Sequence, residues 1–89
     1  MFYDFRWIAW NIEKIESHGL TVVEVEHVVT HARRPYPKPI GNEKWIVIGS
    51  TTTGRVIQAI YLVDDDQTLF VIHAGPLTAK ERRRHRREQ

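Results

Sequence analysis

Apolar residues recur with the period of a helix in the first third of the chain. Over residues 8–18, isoleucines follow one another at steps of four and three with no Gly or Pro between them, and Gly19 then supplies a stop, which predicts an amphipathic helix. Thr21 stands three residues before Glu24, a capping box that predicts the start of a second helix. The apolar stripe of this second helix consists of valines, which favour strands, so a strand over 20–29 is the alternative.

Elsewhere the pattern is typical of strands. Residues 2–6 are rich in aromatic side chains and predict a short strand, whereas the proline-rich segment 33–42 (RRPYPKPIGN) predicts a loop. The apolar runs 44–49, 55–63 and 68–74 are separated by short polar turns, which predicts an antiparallel three-stranded meander. Because both faces of the middle run are apolar, we expect it to be central and covered, at least in part, on both faces.

A third helix is predicted at the C-terminal end. Gly75 and Pro76 mark the end of the last strand, and Thr78 with Glu81 forms a second capping box that opens a helix through the basic segment 80–89. This helix has almost no apolar stripe, so core packing cannot anchor it along its length. The predicted order is β-α-α-β-β-β-α, an α+β fold with an antiparallel sheet, two N-terminal helices and a basic C-terminal helix.

The length and composition fit one small domain. The chain of 89 residues is 42% apolar and 27% charged, so we expect a single domain over 1–89 with one modest core. Because the chain has no cysteine, a disulfide framework, a thiol nucleophile and a thiolate zinc site are excluded, and the expected compartment is a reducing cytoplasm. We see no secretory leader and no apolar run of membrane-spanning length, and we expect no membrane association.

The net charge of +2 is unevenly distributed. Residues 1–79 hold 7 Lys/Arg against 9 Asp/Glu, whereas residues 80–89 hold 6 against 2. So dense a basic segment suits a phosphodiester backbone, which releases condensed counterions on binding. An acidic protein partner and a merely solvated tail are the alternatives. The cations of this segment are Lys80, Arg82, Arg83, Arg84, Arg86 and Arg87.

Histidine is the residue expected to move protons near neutral pH in a chain without cysteine. His73 ends the last predicted strand beside the basic helix and is a candidate acid or base, with a structural role as the simpler interpretation. His85 follows Glu81 by four residues, so a carboxylate could orient it, or it is one more solvated side chain. His27 and His31 have the spacing to share a metal but lack a third ligand, so we predict no metal site and no cofactor.

Three segments in one order carry a resemblance that covers nearly the whole chain. They are WNIEKIESHGLTVVEVE (10–26), GRVIQAIYLV (54–63) and VIHAGPLTAKERRRHRR (71–87). Together they resemble the BrnT family of toxins from bacterial type II toxin-antitoxin systems. The resemblance implies a RelE-like ribonuclease fold and metal-independent RNA cleavage that arrests translation. It also implies a ribbon-helix-helix (BrnA-like) antitoxin as partner, with promoter DNA contacted only through the toxin-antitoxin complex.

RNA cleavage of this kind requires a base for the 2′-hydroxyl group, an acid for the leaving 5′-oxygen and cations for the charge that builds on the phosphate. Glu81 is expected to cap the last helix, with a role as base the alternative. The predicted catalytic residues are His73, His85, Arg82 and Arg83, and further RNA-binding candidates are Lys14, Arg55, Lys80, Arg84, Arg86 and Arg87.

The chain departs from the family pattern at the predicted site. Gly75 and His85 stand where the family usually has arginine and tyrosine, His73 stands where a small hydroxyl residue is common, and Lys14 replaces a frequent histidine. Glycine cannot act as the planar phosphate clamp that arginine provides. Either the histidines have taken over the acid-base work, or the chain is a weakly active or inactive module that acts through antitoxin binding and operator-linked repression.

Overall fold

The computed structural model describes residues 4–88, with side chains up to residue 87. Its helices are α1 (Ala9–Ser17), α2 (Val22–Thr30) and α3 (Ala79–Glu88), and its strands are β1 (Phe5–Arg6), β2 (Lys38–Pro39), β3 (Lys44–Ser50), β4 (Val56–Val63) and β5 (Leu69–Pro76). The predicted α+β class is confirmed. The strand expected at 2–6 is found at its last two residues, while residues 2 and 3 lie outside the described part. Among the described helices, none has the length and apolar content needed to cross a membrane.

The five strands form one mixed sheet in the order β1-β5-β4-β3-β2. β4 pairs antiparallel with β3 and with β5, and β2 pairs antiparallel with β3, whereas β1 runs parallel to β5. The expectation of a purely antiparallel sheet is therefore wrong at β1. Parallel neighbours need a crossover connection, and here most of the chain separates the two strands, so no local turn signal predicts their pairing.

The boundaries of two predicted segments are also corrected. The segment 33–42 was expected to be a loop but contains β2, which pairs with β3 at the outer edge of the sheet. Pro39 is tolerated there because the free side of an edge strand needs no N–H donor. β5 was expected to end before Gly-Pro but continues through Pro76, which lies opposite Ile57 where the ladder stops.

α2 begins at the predicted capping box. Thr21 Oγ1 accepts a hydrogen bond from the Glu24 N–H at 3.2 Å, and Glu24 Oε1 accepts one from the Thr21 N–H at 3.0 Å. The helix buries the valine stripe, since Val25, Val28 and Val29 are each at most 3% exposed. Capping and packing against β3 and β4 therefore outweigh the strand preference of valine, and the alternative strand over 20–29 is wrong.

α1 lies beside β5, next to β1, and its polar side chains bind the backbone of that strand. Asn11, which is 1% exposed, donates through Nδ2 to the carbonyl oxygens of Val71 at 3.0 Å and Arg6 at 3.1 Å. Lys14 Nζ donates to the carbonyl oxygen of Ile72 at 3.3 Å. The side chains of α1 thus satisfy carbonyl groups of β5 that the two-residue β1 is too short to reach.

The sheet has two unlike faces. The face beneath α1 and α2 carries the core, and β4 contributes Ile57, Ala59 and Tyr61 to it, all buried. The alternate residues of β4, among them Gln58 and Ile60, are of intermediate exposure and lie on the second face, here called the open face. β4 is the central strand and is covered on one face and partly covered on the other, as predicted.

Candidate functional site

His73 lies on the open face, near the end of β5. It pairs with Ile60, and two residues further along the strand Gly75 pairs with Gln58, so these positions share one face. Gln58 Nε2 donates to Glu81 Oε2 at 3.1 Å, in the first turn of α3. His73 and the start of the basic helix are therefore on the same side of the sheet.

A second histidine, His18 at the end of α1, lies against His73 and Gly75. The two imidazole rings meet edge to face, with 5.7 Å between their centres. A Cβ atom at Gly75 would lie 3.5 Å from His18 Cγ, which is ordinary contact, but a long side chain there would have to displace the ring. Glycine at this position thus leaves the space that the His18 imidazole occupies.

The surroundings of His73 lower its pKa below the usual histidine value. Partial burial is the largest cause, and the nearby charges of His18 and Lys14 act in the same direction, whereas Glu81 opposes them. Burial and positive neighbours both disfavour the imidazolium form. A histidine with a lowered pKa is neutral near pH 7 and can accept a proton, which is what a general base must do.

Glu81 is the predicted helix cap. Its Oε1 accepts a hydrogen bond from the Thr78 N–H at 2.9 Å, and its own N–H donates to Thr78 Oγ1 at 3.1 Å. The bond from the Thr78 backbone is the largest cause that lowers the Glu81 pKa, with further contributions from the Thr78 side chain, Gln58 and Arg84. Glu81 therefore stays ionised as it caps α3 and joins it to the open face.

His85 is held by a residue that the sequence did not indicate. The Tyr36 hydroxyl lies 3.1 Å from His85 Nδ1, although 49 residues separate the two along the chain. Their ring centres are 5.7 Å apart, and Tyr36 is only 8% exposed. This pair fixes the second half of α3 against the proline-rich segment, where core packing provides no anchor.

A cleft of about 650 Å³ opens between the end of α2, the end of β3, the start of β4, and α3. None of the described residues that line it is acidic. The ionisable nitrogen-bearing side chains of its wall are His27, His31, Arg33, Arg34, His85 and Arg86. The cleft therefore combines two residues of the predicted basic helix with four from the segment that ends α2 and follows it.

His27 and His31 stack at the C-terminal end of α2, with 4.1 Å between their ring centres. His31 Nδ1 lies 2.9 Å from the carbonyl oxygen of His27. Because a carbonyl oxygen can only accept, Nδ1 carries the hydrogen, and Nε2 is the nitrogen left to bind a ligand. Within residues 4–88, no group of three or more His, Cys, Asp or Glu side chains is placed to hold a metal ion.

The arginines of α3 do not form one cluster. Arg86 lines the cleft, whereas Arg84 borders a smaller groove of about 210 Å³ over the open face, beside Tyr36 and Glu81. A shallow outer depression is lined by Arg83, Arg86 and Arg87. Lys80 and Arg82 are exposed in the first turn of the helix. The basic helix thus presents cations on several sides.

Lys14 and Arg55 both bind protein atoms. Besides its bond to β5, Lys14 Nζ lies 4.6 Å from the centre of the Trp10 ring. Arg55 Nη1 donates to the carbonyl oxygen of Gly19 at 3.0 Å, at the turn between α1 and α2. Both side chains remain exposed, so each combines a structural contact with a charge that faces solvent.

The sequence did not indicate His18, Arg33, Arg34 or Tyr36 as site residues. For the last three a signal was present: paired arginines directly before prolines (RRPYP) place two cations on a stiff backbone. No local signal places His18, because its partner His73 lies 55 positions further along the chain.

The site offers three chemical functions. His73 supplies a neutral imidazole, α3 supplies cations on the same side of the sheet, and the cleft adds a concave, positively chargeable surface. Proton abstraction and stabilisation of phosphate charge are the reactions that such groups perform. No protein-family model, curated protein or solved structure matches the chain.

Proposed function

We propose that this chain is a toxin of the BrnT family, from a type II toxin-antitoxin system, and acts in the cytoplasm as a metal-independent RNA endonuclease with a RelE-like fold. The observation that carries the proposal is the position of His73, whose pKa is lowered, on the same side of the sheet as the first turn of the arginine-rich helix. The resemblance of three ordered segments supports the same function.

In the proposed reaction, the 2′-oxygen of RNA attacks the adjacent phosphorus and the bond to the 5′-oxygen breaks. His73 takes the proton of the 2′-hydroxyl group, and Arg82 and Arg83 stabilise the negative charge on the phosphate. The leaving 5′-oxygen receives a proton from a second imidazole, either His85 or His18. The products carry a 2′,3′-cyclic phosphate and a 5′-hydroxyl group.

The test is cleavage of RNA by the purified chain in EDTA, with the ends of the products identified. We expect His73→Ala to lower the rate by about 100-fold or more, the usual size of a lost acid-base group. Glu16→Ala, at an exposed position of α1, serves as the control and should cleave like the wild type. A rate within about threefold of wild type for His73→Ala would remove His73 from the proton transfer.

The alternative function is a non-catalytic module that acts through a ribbon-helix-helix antitoxin and operator-linked repression. It is favoured by the contact between His18 and Gly75, because an imidazole occupies the space where the resembled family usually has an arginine phosphate clamp. Induced expression with and without a neighbouring ribbon-helix-helix protein separates the two functions. An active nuclease arrests growth when it is expressed alone, and co-expression of the partner relieves this arrest. A non-catalytic module binds the partner but causes no growth arrest.

A further inference from the structure

We propose that the cleft between α2 and α3 is a binding site for the phosphodiester backbone of single-stranded RNA, and that Arg33 and Arg34 are its main phosphate ligands. The identification of the polyanion as RNA rests on the proposed function. The site is distinct from the surroundings of His73, and most of its residues lie outside the basic tail.

Charge is the first argument for this site. The fold brings the end of α2, the segment after it and the second half of α3 around one cavity, and none of the described residues that line it carries a carboxylate. Cations gathered around one cavity with no carboxylate among its lining residues repel one another. A bound anion would remove that repulsion, and the volume of about 650 Å³ lies within the range of roughly 300–1,000 Å³ found for small-ligand sites.

Preorganisation is the second argument. The Tyr36 N–H donates to the carbonyl oxygen of Arg33 at 2.9 Å, which closes a turn that displays Arg33 and Arg34. Tyr36 is buried and its hydroxyl contacts His85, so the same residue fixes both walls of the cleft. Cations on a backbone fixed in this way lose less conformational entropy when they bind a ligand.

The stacked histidines favour nucleic acid over an acidic peptide. The rings of His27 and His31 stack on each other beside the arginines, and because His31 is exposed, the outer face of its ring is the π surface left for a base. Bases in single strands stack on aromatic and imidazole rings while their phosphates pair with cations. An acidic peptide has carboxylates to offer but no base to stack.

The test uses a fluorescent 2′-O-methyl hexanucleotide, which cannot be cleaved, and measures its binding to the full chain by anisotropy at several salt concentrations. We expect the double variant Arg33→Gln/Arg34→Gln to bind about tenfold or more weakly and its salt slope to fall by about 1–2. Both side chains are exposed, so this variant should fold normally.

The control is Arg6→Gln/Lys44→Gln, which removes the same number of cations at the opposite end of the sheet, together with the exposed ion pair between Arg6 and Asp64. Arg6 and Lys44 lie level with Leu62, whereas the cleft is bounded by Ser50 and Val56. We expect this control to bind within about twofold of wild type. An equal loss in both double variants, or no loss in the first, would overturn the site.

Two further measurements separate this site from the proposed catalytic centre. His73→Ala should keep the affinity for the hexanucleotide. If the wild-type chain binds RNA through the cleft but does not cleave it, the proposed nuclease activity is wrong and the binding site is still supported. Conversely, if the Arg33→Gln/Arg34→Gln variant cleaves RNA and binds the hexanucleotide like the wild type, the proposed binding site is wrong and the nuclease activity is still supported. If poly-glutamate binds with the same affinity as the hexanucleotide and with the same dependence on Arg33 and Arg34, the ligand of the cleft is an acidic protein and the assignment to RNA is wrong.

Discussion

At the scale of single residues, the pKa of His73 is set by the residues around it. The sequence indicated it as a proton-transfer candidate because it ends a strand before a basic helix. The ring of His18 and the amino group of Lys14, which help to lower its pKa, come from α1 and are far away in sequence. The candidate could thus be predicted from its position, but its protonation state could not.

This environment predicts the pH dependence of RNA cleavage. We expect the acid limb of the kcat/KM profile to have its midpoint below about 6.5, the ordinary histidine value, because the pKa of His73 is lowered. Lys14→Gln removes a positive neighbour and should move this midpoint upward, whereas Lys44→Gln, two strands away, should not. The measurement is kcat/KM from about pH 5 to pH 8.

A wild-type midpoint above about 6.5, or an unshifted midpoint in Lys14→Gln, would contradict this assignment. The same shift affects stability. The unfolded chain binds the proton of His73 more readily than the folded chain does. The contribution of this residue therefore makes the folded state less stable as the pH falls through about 6.5.

At the scale of elements, the predictions succeeded where the signal was local. The two capping boxes each span four residues, and both were confirmed because their hydrogen bonds form within one helical turn. The pairing of β1 with β5 could not be predicted, because it depends on how the rest of the chain folds between them. The same is true of the anchors of α3, whose bonds to Gln58 and Tyr36 span 23 and 49 residues.

The contact between α1 and β5 predicts a large effect from a small substitution. Asn11→Ala should lower the free energy of unfolding by about 2–3 kcal/mol, because the buried carbonyl group of Val71 and the partly buried carbonyl group of Arg6 lose their donor. Glu13→Ala, exposed on the same helix, is the control and should change it by less than about 0.5 kcal/mol. Urea denaturation followed by circular dichroism measures both. A loss below about 1 kcal/mol for Asn11→Ala would show that these bonds matter little.

At the scale of the whole molecule, the fold separates a body from a basic helix. The described residues of the buried apolar core all precede α3, and this helix is joined to the body by polar side chains. The sequence predicted this separation, because the helix has no apolar stripe and the charge is concentrated after residue 79. It could not predict that the start and the middle of the helix contact different parts of the body.

Removal of residues 82–89 should therefore affect binding more than folding. The net charge changes from +2 to −2, and we expect the affinity for the 2′-O-methyl hexanucleotide to fall by about tenfold at low salt, because Arg33 and Arg34 remain in the cleft. The free energy of unfolding should fall by no more than about 1 kcal/mol, since the deleted residues contribute nothing to the buried apolar core and their main contact with the body is the one between His85 and Tyr36. Anisotropy and urea denaturation test the two effects separately. A truncated chain that fails to fold, or that binds as before, would contradict this division.

The position of α1 beside β5 also limits how the molecule can meet other chains. At this edge of the sheet, the carbonyl groups of Val71 and Ile72 already accept hydrogen bonds from Asn11 and Lys14, so a strand of another chain cannot pair with them. At the other edge it would find β2, two residues long and ending in a proline that has no N–H to offer. Strand addition is therefore opposed at these positions, and a partner that binds there must recognise side chains.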